Sequence, residues 1–252
     1  MESNVNNVVI EVENMVKRFG SFVANDRLTF RVNKGEIFGF LGANGAGKTT
    51  AMRILCGLSV PTSGKIMVNG FDVYRQSEAI KQSIGYMSQK FSLYEDLTVA
   101  ENLRFYAGIY GLKRKERKKK EAEMLERLQM PSIKNQLVVS LPLGWKQKLA
   151  FSIALVHDPK IVFLDEPTGG VDPITRRQFW NMIYEASSRG ITMFVTTHYM
   201  DEAEYCDRVS IMVDGRIEAL DTPAGLMKTY GAENMNEVFL QLARKPKTDQ
   251  TT

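Results

Sequence analysis

Residues 42–49 read GANGAGKT and lie between a short apolar run, EIFGFL, and a stretch with helical spacing, TTAMRILCGL. The residues satisfy the pattern G-x-x-x-x-G-K-[ST] in full, in the strand-to-helix context that the pattern requires. Glycines allow backbone N–H groups to curl around phosphate oxygens, and the helix N-terminus adds a partial positive charge. A chain with this segment is therefore expected to place a phosphate-binding loop at the end of a buried strand.

The loop supplies most of the candidate nucleotide-binding residues. Lys48 is expected to reach the β- and γ-phosphates of ATP, and the Thr49 hydroxyl is expected to ligate Mg²⁺. A glycine-rich turn with an incidental lysine is the alternative, and the strand and helix on either side disfavour it. The predicted ATP-binding residues of the loop are Gly42, Asn44, Gly45, Ala46, Gly47, Lys48, Thr49 and Thr50.

A second chemical signal is IVFLDEP, residues 161–167, in which four apolar residues precede two acids. The apolar run predicts a buried strand, whose end lies where ligands collect in parallel sheets. Asp165 is predicted to hold Mg²⁺, directly or through water, and Glu166 to orient and deprotonate the attacking water. The alternative is that the acids only start a helix, but an uncompensated buried acidic pair is costly unless a cation lies beside it.

The order of elements predicts an α/β fold. VVIEVENM and SFVANDRLTFRV indicate strands, and Asn69-Gly70 after KIMV indicates a hairpin turn, so an antiparallel sheet is expected near the N-terminus. After Trp145, apolar strands alternate with helices, including a helix at MDEAEYC, which favours a parallel sheet with right-handed crossovers.

A helical segment separates these two parts of the chain. Thr98 and Glu101 form a predicted capping box, and Gly111 is expected to end the first helix. We therefore predict a P-loop NTPase with a mixed-sheet core, an N-terminal antiparallel β subdomain and an α-helical subdomain inserted at about residues 95–142. The ATPase domain is predicted to span residues 1–222, followed by a helical extension and polar tail at 223–252.

Composition restricts the classes of function. The 252 residues are 44% hydrophobic and 25% charged with a net charge of +4, which are ordinary values for a soluble globular protein. The basic run KRKERKKK, residues 113–120, is expected to be a solvated helix face rather than a nucleic-acid contact. Cys56 and Cys206 lack metal-binding spacing and suggest reduced thiols. No apolar stretch approaches the ~18 residues of a membrane helix, so the chain is not expected to cross a bilayer by itself.

From about Val8 to about Asp221, the chain resembles the nucleotide-binding subunit of an ATP-binding-cassette (ABC) transporter. The resemblance rests on ordered features, which are Phe19 in VKRFG, GANGAGKTT, Gln89 in IGYMSQ, the LPLGW stretch, LDEP, GGVD, and His198 in TTH.

The resemblance implies roles for four residues outside the phosphate loop. Phe19 matches the aromatic residue that stacks on adenine, although a buried strand-end phenylalanine is the alternative. Gln89 matches the glutamine that senses Mg²⁺ and water and leads into the helical subdomain that touches the membrane partner. His198 matches the switch histidine at the γ-phosphate, and Asp172 matches the dimer-contact aspartate. In isolation, Gln89 and His198 would be ordinary polar residues at strand ends.

The LPLGW stretch, residues 141–145, departs from the usual Leu-Ser-Gly-Gly-Gln signature of the family. Leu141 and Gly144 match it, whereas Pro142 replaces the serine and offers neither a hydroxyl nor a backbone N–H. The Leu143 and Gly144 N–H groups are expected to contact the partner's γ-phosphate in trans, and Gly144 is expected to admit that phosphate because it lacks a Cβ. Signatures of the LPLG type resemble those of type-2 exporter ATPases, which move drugs, lipids or polysaccharides.

The resemblance also implies an assembly. The chain is expected to bind ATP and Mg²⁺ as a head-to-tail dimer, with a homodimer favoured over a heterodimer, and to drive a separately encoded permease from the cytoplasmic face of the membrane. A non-transport cassette ATPase acting on the ribosome or nucleic acid is the alternative. One phosphate loop and a short helical insert disfavour it, and no nucleic-acid partner is expected.

Overall fold

The computed structural model of the chain describes residues 7–128 and 131–244. In chain order, its strands are β1 (Val8–Phe19), β2 (Phe22–Asn33), β3 (Ile37–Gly42), β4 (Ser63–Val68), β5 (Phe71–Asp72), β6 (Ile84–Met87), β7 (Ile161–Asp165), β8 (Thr192–Thr197), β9 (Arg208–Val213) and β10 (Arg216–Asp221). Its α-helices are α1 (Lys48–Leu55), α2 (Ser77–Ser83), α3 (Val99–Ile109), α4 (Arg114–Arg127), α5 (Leu143–Leu155), α6 (Pro173–Ser188), α7 (Pro223–Tyr230) and α8 (Met235–Ala243).

The N-terminal part forms an antiparallel sheet, as predicted. Its strands lie in the order β2-β1-β4-β5. Inward residues of β1, among them Ile10 and Val12, are fully buried, which fixes the register of its long hairpin with β2. Asn69 and Gly70 connect β4 to β5 with positive φ angles of 51° and 82°, the left-handed backbone of a tight two-residue hairpin turn. The predicted turn is confirmed.

The second sheet has six strands in the order β10-β9-β3-β8-β7-β6. The strands from β9 to β6 are parallel, with β3 near the centre and buried on both faces. The predicted α/β fold with a mixed sheet is therefore confirmed. The antiparallel edge strand β10 was not predicted, because the sequence EALD that ends it lacks an alternating apolar pattern.

Aromatic side chains hold the two sheets together on one face of the larger sheet. Phe194 on β8 lies with its ring centre 5.2–5.6 Å from those of Phe38, Phe40 and Phe163, and 6.3 Å from that of Phe30 on β2. These contacts join the antiparallel sheet to the strands that end at the phosphate loop. On the opposite face, Ile37 and Leu41 of β3 belong to a cluster that includes residues of α5, α6 and α8.

The helical segment has a core of its own, formed by α3, α4 and α5. Thr98 and Glu101 form the predicted capping box of α3, and Gly111 follows its end with a φ of 79°. The two ends of the segment lie side by side, since Val138 N–H donates to the Leu97 carbonyl at 3.0 Å. The basic run lies on α4 and is largely exposed, in agreement with the solvated face that was predicted.

The segment between β8 and β9 differs from its prediction. MDEAEYC was predicted to be an α-helix, but Met200–Tyr205 forms a 3₁₀ helix. Its i→i+3 bonds, such as Cys206 N–H to the Ala203 carbonyl at 3.0 Å, let the chain turn tightly between β8 and β9. The domain division at residue 222 stays a prediction, and the polar tail from residue 245 lies outside the described residues.

None of the helices in the described part of the chain has both the length and the apolar character that a membrane span requires.

We predict that Phe194→Ala lowers the free energy of unfolding by about 3–5 kcal/mol, because it leaves a cavity among four neighbouring rings. Urea unfolding followed by circular dichroism measures the change. Phe22→Ala is the matched control, since that side chain is 64% exposed, and its effect should stay within about 0.5 kcal/mol. Equal losses in the two variants would contradict the assignment of Phe194 to the junction between the sheets.

Candidate functional site

The glycine-rich loop leaves β3 at Gly42 and enters α1 at Lys48. Gly47, the residue before α1, has a φ of 97°, and a Cβ added there would lie 2.3 Å from the Ala24 carbonyl oxygen. Asn25, fully buried on β2, donates from Nδ2 to the Gly47 carbonyl at 3.1 Å. Only glycine fits at residue 47, since both its backbone angle and its surroundings exclude a side chain. The antiparallel sheet thus supports the loop from one side.

Lys48 places a buried cation at this loop. Its Nζ donates to the carbonyls of Gly42 at 2.7 Å and Ala43 at 3.1 Å, and lies 3.5 Å from Glu166 Oε1. Burial lowers the pKa of Lys48, while the charge of Glu166 acts in the opposite direction. A desolvated ammonium beside open backbone amides is suited to bind phosphate oxygens.

Asp165 ends the fully buried strand β7 and meets two hydroxyls. Its Oδ1 accepts from Thr196 Oγ1 at 2.7 Å and from Thr49 Oγ1 at 3.3 Å. Burial raises the pKa of Asp165, against the effect of these hydrogen bonds. The predicted metal-ligating residues Thr49 and Asp165 are therefore adjacent.

Glu166 is the point at which the predicted catalytic residues meet. Gln89 Nε2 donates to Glu166 Oε2 at 2.9 Å, and His198 Nδ1 lies 3.1 Å from the same oxygen. Glu166 itself has a φ of +46°, which is uncommon for a residue with a side chain. Its N–H donates to both the carbonyl and the hydroxyl of Thr196, each at 3.1 Å, and these bonds hold the strained backbone in place.

These residues fit Mg²⁺ and a triphosphate. Thr49 and Asp165 offer the hard oxygen ligands that Mg²⁺ prefers, and Mg²⁺ usually combines one or two carboxylates with substrate phosphates. Within the described residues, no group of three or more His, Cys, Asp and Glu side chains could hold a metal ion alone.

A second group of predicted residues lies in a separate cleft of about 400 Å³, between the starts of α5 and α6. Leu143 and Gly144 begin α5 after Pro142, and Leu143 is 44% exposed. Asp172 precedes α6 and accepts the N–H groups of Ile174 and Thr175, each at 3.0 Å. Among the hydrogen bonds and ion pairs of the described residues, none joins Leu143, Gly144 or Asp172 to the loop at 42–50.

The predicted approach of a partner's γ-phosphate to Gly144 stays a prediction, and the structure adds a contact within the chain. A Cβ added at this position would lie 2.7 Å from Thr175 Cγ2 of the same chain, so the space beside Gly144 is already filled by α6. The absence of a Cβ at Gly144 therefore lets the starts of α5 and α6 pack closely. The Leu143 and Gly144 N–H groups remain at a helix N-terminus, where they suit an anion from another subunit.

The remaining predicted residues lie within the phosphate loop, on α1 or at the end of β1. Asn44 and Gly45 are exposed, Ala46 is buried, and Thr50 is half-buried in α1. Phe19 is 55% exposed at the end of β1, with Lys17 Nζ 4.9 Å from its ring centre. An exposed ring agrees better with adenine stacking than with the alternative of a core phenylalanine.

Sequence reasoning missed several residues that support the site. Thr196 and Asn25 make the bonds described above, and fully buried Glu202 accepts from Thr168 Oγ1 at 2.5 Å and lies 3.6 Å from Arg176 Nε. Burial raises the pKa of Glu202. The sequence did contain a signal for these residues, because they are polar side chains within otherwise apolar segments. Such groups need hydrogen-bond partners when they are buried. Which partners they find depends on tertiary contacts.

Comparison with known proteins identifies the protein family. A family model described as ABC transporter matches residues 25–169. The chain is 47% identical over 248 residues to the probable multidrug ABC transporter ATP-binding protein YbhF of Escherichia coli, covering 96% of this chain and 43% of that protein. It is 34% identical over 245 residues to the linearmycin resistance ATP-binding protein LnrL of Bacillus subtilis, covering 94% of this chain and 79% of that protein.

A solved structure agrees with these relatives. The structure of an ATP-binding subunit of an ABC transporter superposes with a TM-score of 0.84 at 27% identity, covering 94% of this chain and all of that one. The chain belongs to the ABC transporter family, as an ATP-binding domain. The predicted family and fold are confirmed, and the names of these relatives do not support the alternative of a ribosome- or nucleic-acid-directed ATPase.

We predict that Lys48→Ala weakens ATP binding about tenfold or more, because it removes the buried cation from the phosphate loop. Titration with a fluorescent ATP analogue measures the affinity. Lys115→Ala, an exposed lysine on α4, is the matched control and should bind ATP as the unaltered chain does. Unchanged affinity in Lys48→Ala would remove this lysine from the binding site.

Proposed function

We propose that this chain binds and hydrolyses ATP as the energy-supplying subunit of an exporter. The observation that carries the proposal is the convergence of Lys48, Gln89 and His198 on the Glu166 carboxylate, at 3.5, 2.9 and 3.1 Å. Such an arrangement suits in-line attack of water on a γ-phosphate, because a base, a phosphate-binding cation and two orienting groups lie within one site.

Each residue of the site has a proposed role. The loop amides and Lys48 bind the β- and γ-phosphates, and the exposed Phe19 stacks on the adenine. Glu166 orients the attacking water and takes its proton, while Gln89 and His198 orient the carboxylate and contact the γ-phosphate side. Thr49, Asp165 and Gln89 would hold Mg²⁺, which would supply positive charge to offset that of the phosphates.

The second cleft supports a head-to-tail dimer. Leu143 and Gly144 present a helix N-terminus that makes no bond to the phosphate loop of their own chain, among the residues described, so a second subunit would bring the two together. We propose that the chain pairs with its own copy, because it carries both halves of such a site. Asp172 would then lie at the contact between the subunits.

The transport role rests on the relatives and on an exposed surface. The two relatives are named as a probable multidrug transporter ATP-binding protein and a linearmycin resistance ATP-binding protein, which supports export of drug-like molecules.

Tyr94, Phe105 and Ile109 form an exposed apolar surface on and before α3, and we propose that a separate permease docks there. The chain would then act at the cytoplasmic face of the membrane.

The proposal predicts that Glu166→Gln lowers ATP turnover by about 10²-fold or more while ATP binding is retained, because an amide keeps the shape but is not a base. Phosphate release measures turnover, and analogue titration measures binding. Glu78→Gln, which alters an exposed glutamate on α2, is the control and should hydrolyse ATP normally. Near-normal hydrolysis by Glu166→Gln would exclude Glu166 as the base.

The dimer proposal predicts complementation between two inactive variants. Lys48→Ala damages the phosphate loop, and Gly144→Asp adds bulk and negative charge to the opposite segment. Each should be inactive alone, but a mixed dimer contains one intact site and one site with both lesions, so ATPase activity or nucleotide occlusion should return. Gly144→Asp must first be shown to bind ATP as a single subunit, because its Cβ also meets Thr175. Confirmed mixed dimers without activity or occlusion would contradict action in trans.

A further inference from the structure

Thr175 connects the two segments that line the second cleft. Its Cγ2 lies 2.7 Å from the position that a Cβ of Gly144 would occupy, so the methyl group packs against the backbone at the start of α5. Its Oγ1 donates to Asp172 Oδ2 at 2.5 Å. One side chain therefore contacts the LPLGW stretch with its methyl group and the GGVD loop with its hydroxyl.

The Asp172 end of this contact is fixed at several points. Asp172 Oδ1 accepts the N–H groups of Ile174 and Thr175, and the hydrogen bond from the Thr175 hydroxyl is the main cause that lowers the pKa of the Asp172 carboxyl. The GGVD loop begins three residues after Glu166. A shift of Thr175 would therefore displace a loop that continues directly into the proposed catalytic acid.

The methyl and hydroxyl groups of Thr175 make different contacts, and neither group can replace the other. Threonine is β-branched, so its χ1 angle is restricted and its methyl and hydroxyl groups take fixed directions. At residue 175, one direction meets Gly144 and the other meets Asp172. Serine would lose the first contact, and valine would lose the second.

We propose that Thr175 is a positioning residue that holds the LPLGW stretch, residues 141–145, and the GGVD loop, residues 169–172, in one fixed arrangement for ATP-dependent dimer formation and hydrolysis. The inference rests on the proposed function, since both segments act on the nucleotide only if the chain dimerises around ATP. Thr175 contacts no nucleotide in this account and acts through Gly144 and Asp172.

A size exchange tests the methyl contact. Gly144→Ala places a Cβ against the Thr175 methyl and should lower ATP turnover at least tenfold, with ATP affinity of the single subunit unchanged. Thr175→Ser removes Cγ2 but keeps the hydroxyl, so the double variant Gly144→Ala/Thr175→Ser should regain at least a third of the activity of Thr175→Ser alone. A double variant no more active than Gly144→Ala, or full activity of Gly144→Ala alone, would overturn the proposal.

Thr175→Val tests the hydroxyl contact, because valine keeps the methyl group and the shape but cannot donate to Asp172. Its turnover should fall at least fivefold at unchanged ATP affinity. Thr222→Val is the matched control for stability, because Thr222 caps α7 by accepting from Gly225 N–H at 3.0 Å. It should lose a similar amount of stability in urea and keep its turnover. Equal turnover in the two variants would show that the hydroxyl of Thr175 serves stability alone.

A dimerisation assay separates failure of this inference from failure of the proposed function. In a Glu166→Gln background, sedimentation measures the ATP-dependent dimer without any need for turnover. Gly144→Ala and Thr175→Val should weaken that dimer at least fivefold, and Thr175→Ser should restore it in the Gly144→Ala chain. Absence of ATP hydrolysis by the unaltered chain would contradict the proposed function. Unchanged dimerisation of the Gly144→Ala and Thr175→Val variants would contradict the inference alone.

Discussion

The contacts of the Glu166 carboxylate depend on four parallel strands that end at the same edge of the sheet. Glu166 follows β7, Lys48 follows the loop after β3, Gln89 follows β6, and His198 follows β8 directly. Because parallel strands deliver their carboxyl ends together, residues far apart in sequence reach one carboxylate within 2.9–3.5 Å. The positive φ of Glu166 aims the side chain at them, and Thr196 holds that backbone through two hydrogen bonds.

The phosphate loop and the second cleft differ in what completes them. The loop is supported within the chain, by Asn25 from the antiparallel sheet and by the aromatic cluster around Phe194. The cleft between α5 and α6 presents a helix N-terminus toward the surface, where we propose that a second subunit places an anion. The loop from Glu166 to Asp172 joins the two, so the proposed dimer contact and the proposed catalytic acid share one short segment.

Local patterns in the sequence were sufficient to predict the sheets, the hairpin turn at Asn69-Gly70 and the phosphate loop, because each depends on residues close in the chain. The 3₁₀ helix at Met200–Tyr205 and the edge strand β10 were not predicted, since tight chain reversals and edge pairing decide them. The contact of Gly144 with Thr175 was missed for a related reason. Its neighbour Thr175 is 31 residues away, and only the packing of α5 against α6 brings the two together. The hydrogen bonds of Thr196 to Asp165 and Glu166 also could not be predicted from the spacing of residues in the sequence.

We propose that two copies of this chain complete each ATP-hydrolysing site. The ATPase rate per subunit of the purified chain tests this proposal, measured by phosphate release over a wide range of protein concentration at saturating ATP and Mg²⁺. We expect the rate per subunit to rise with concentration and then to level off, because isolated subunits lack one side of the site. A constant rate per subunit at concentrations where sedimentation finds only monomers would contradict it.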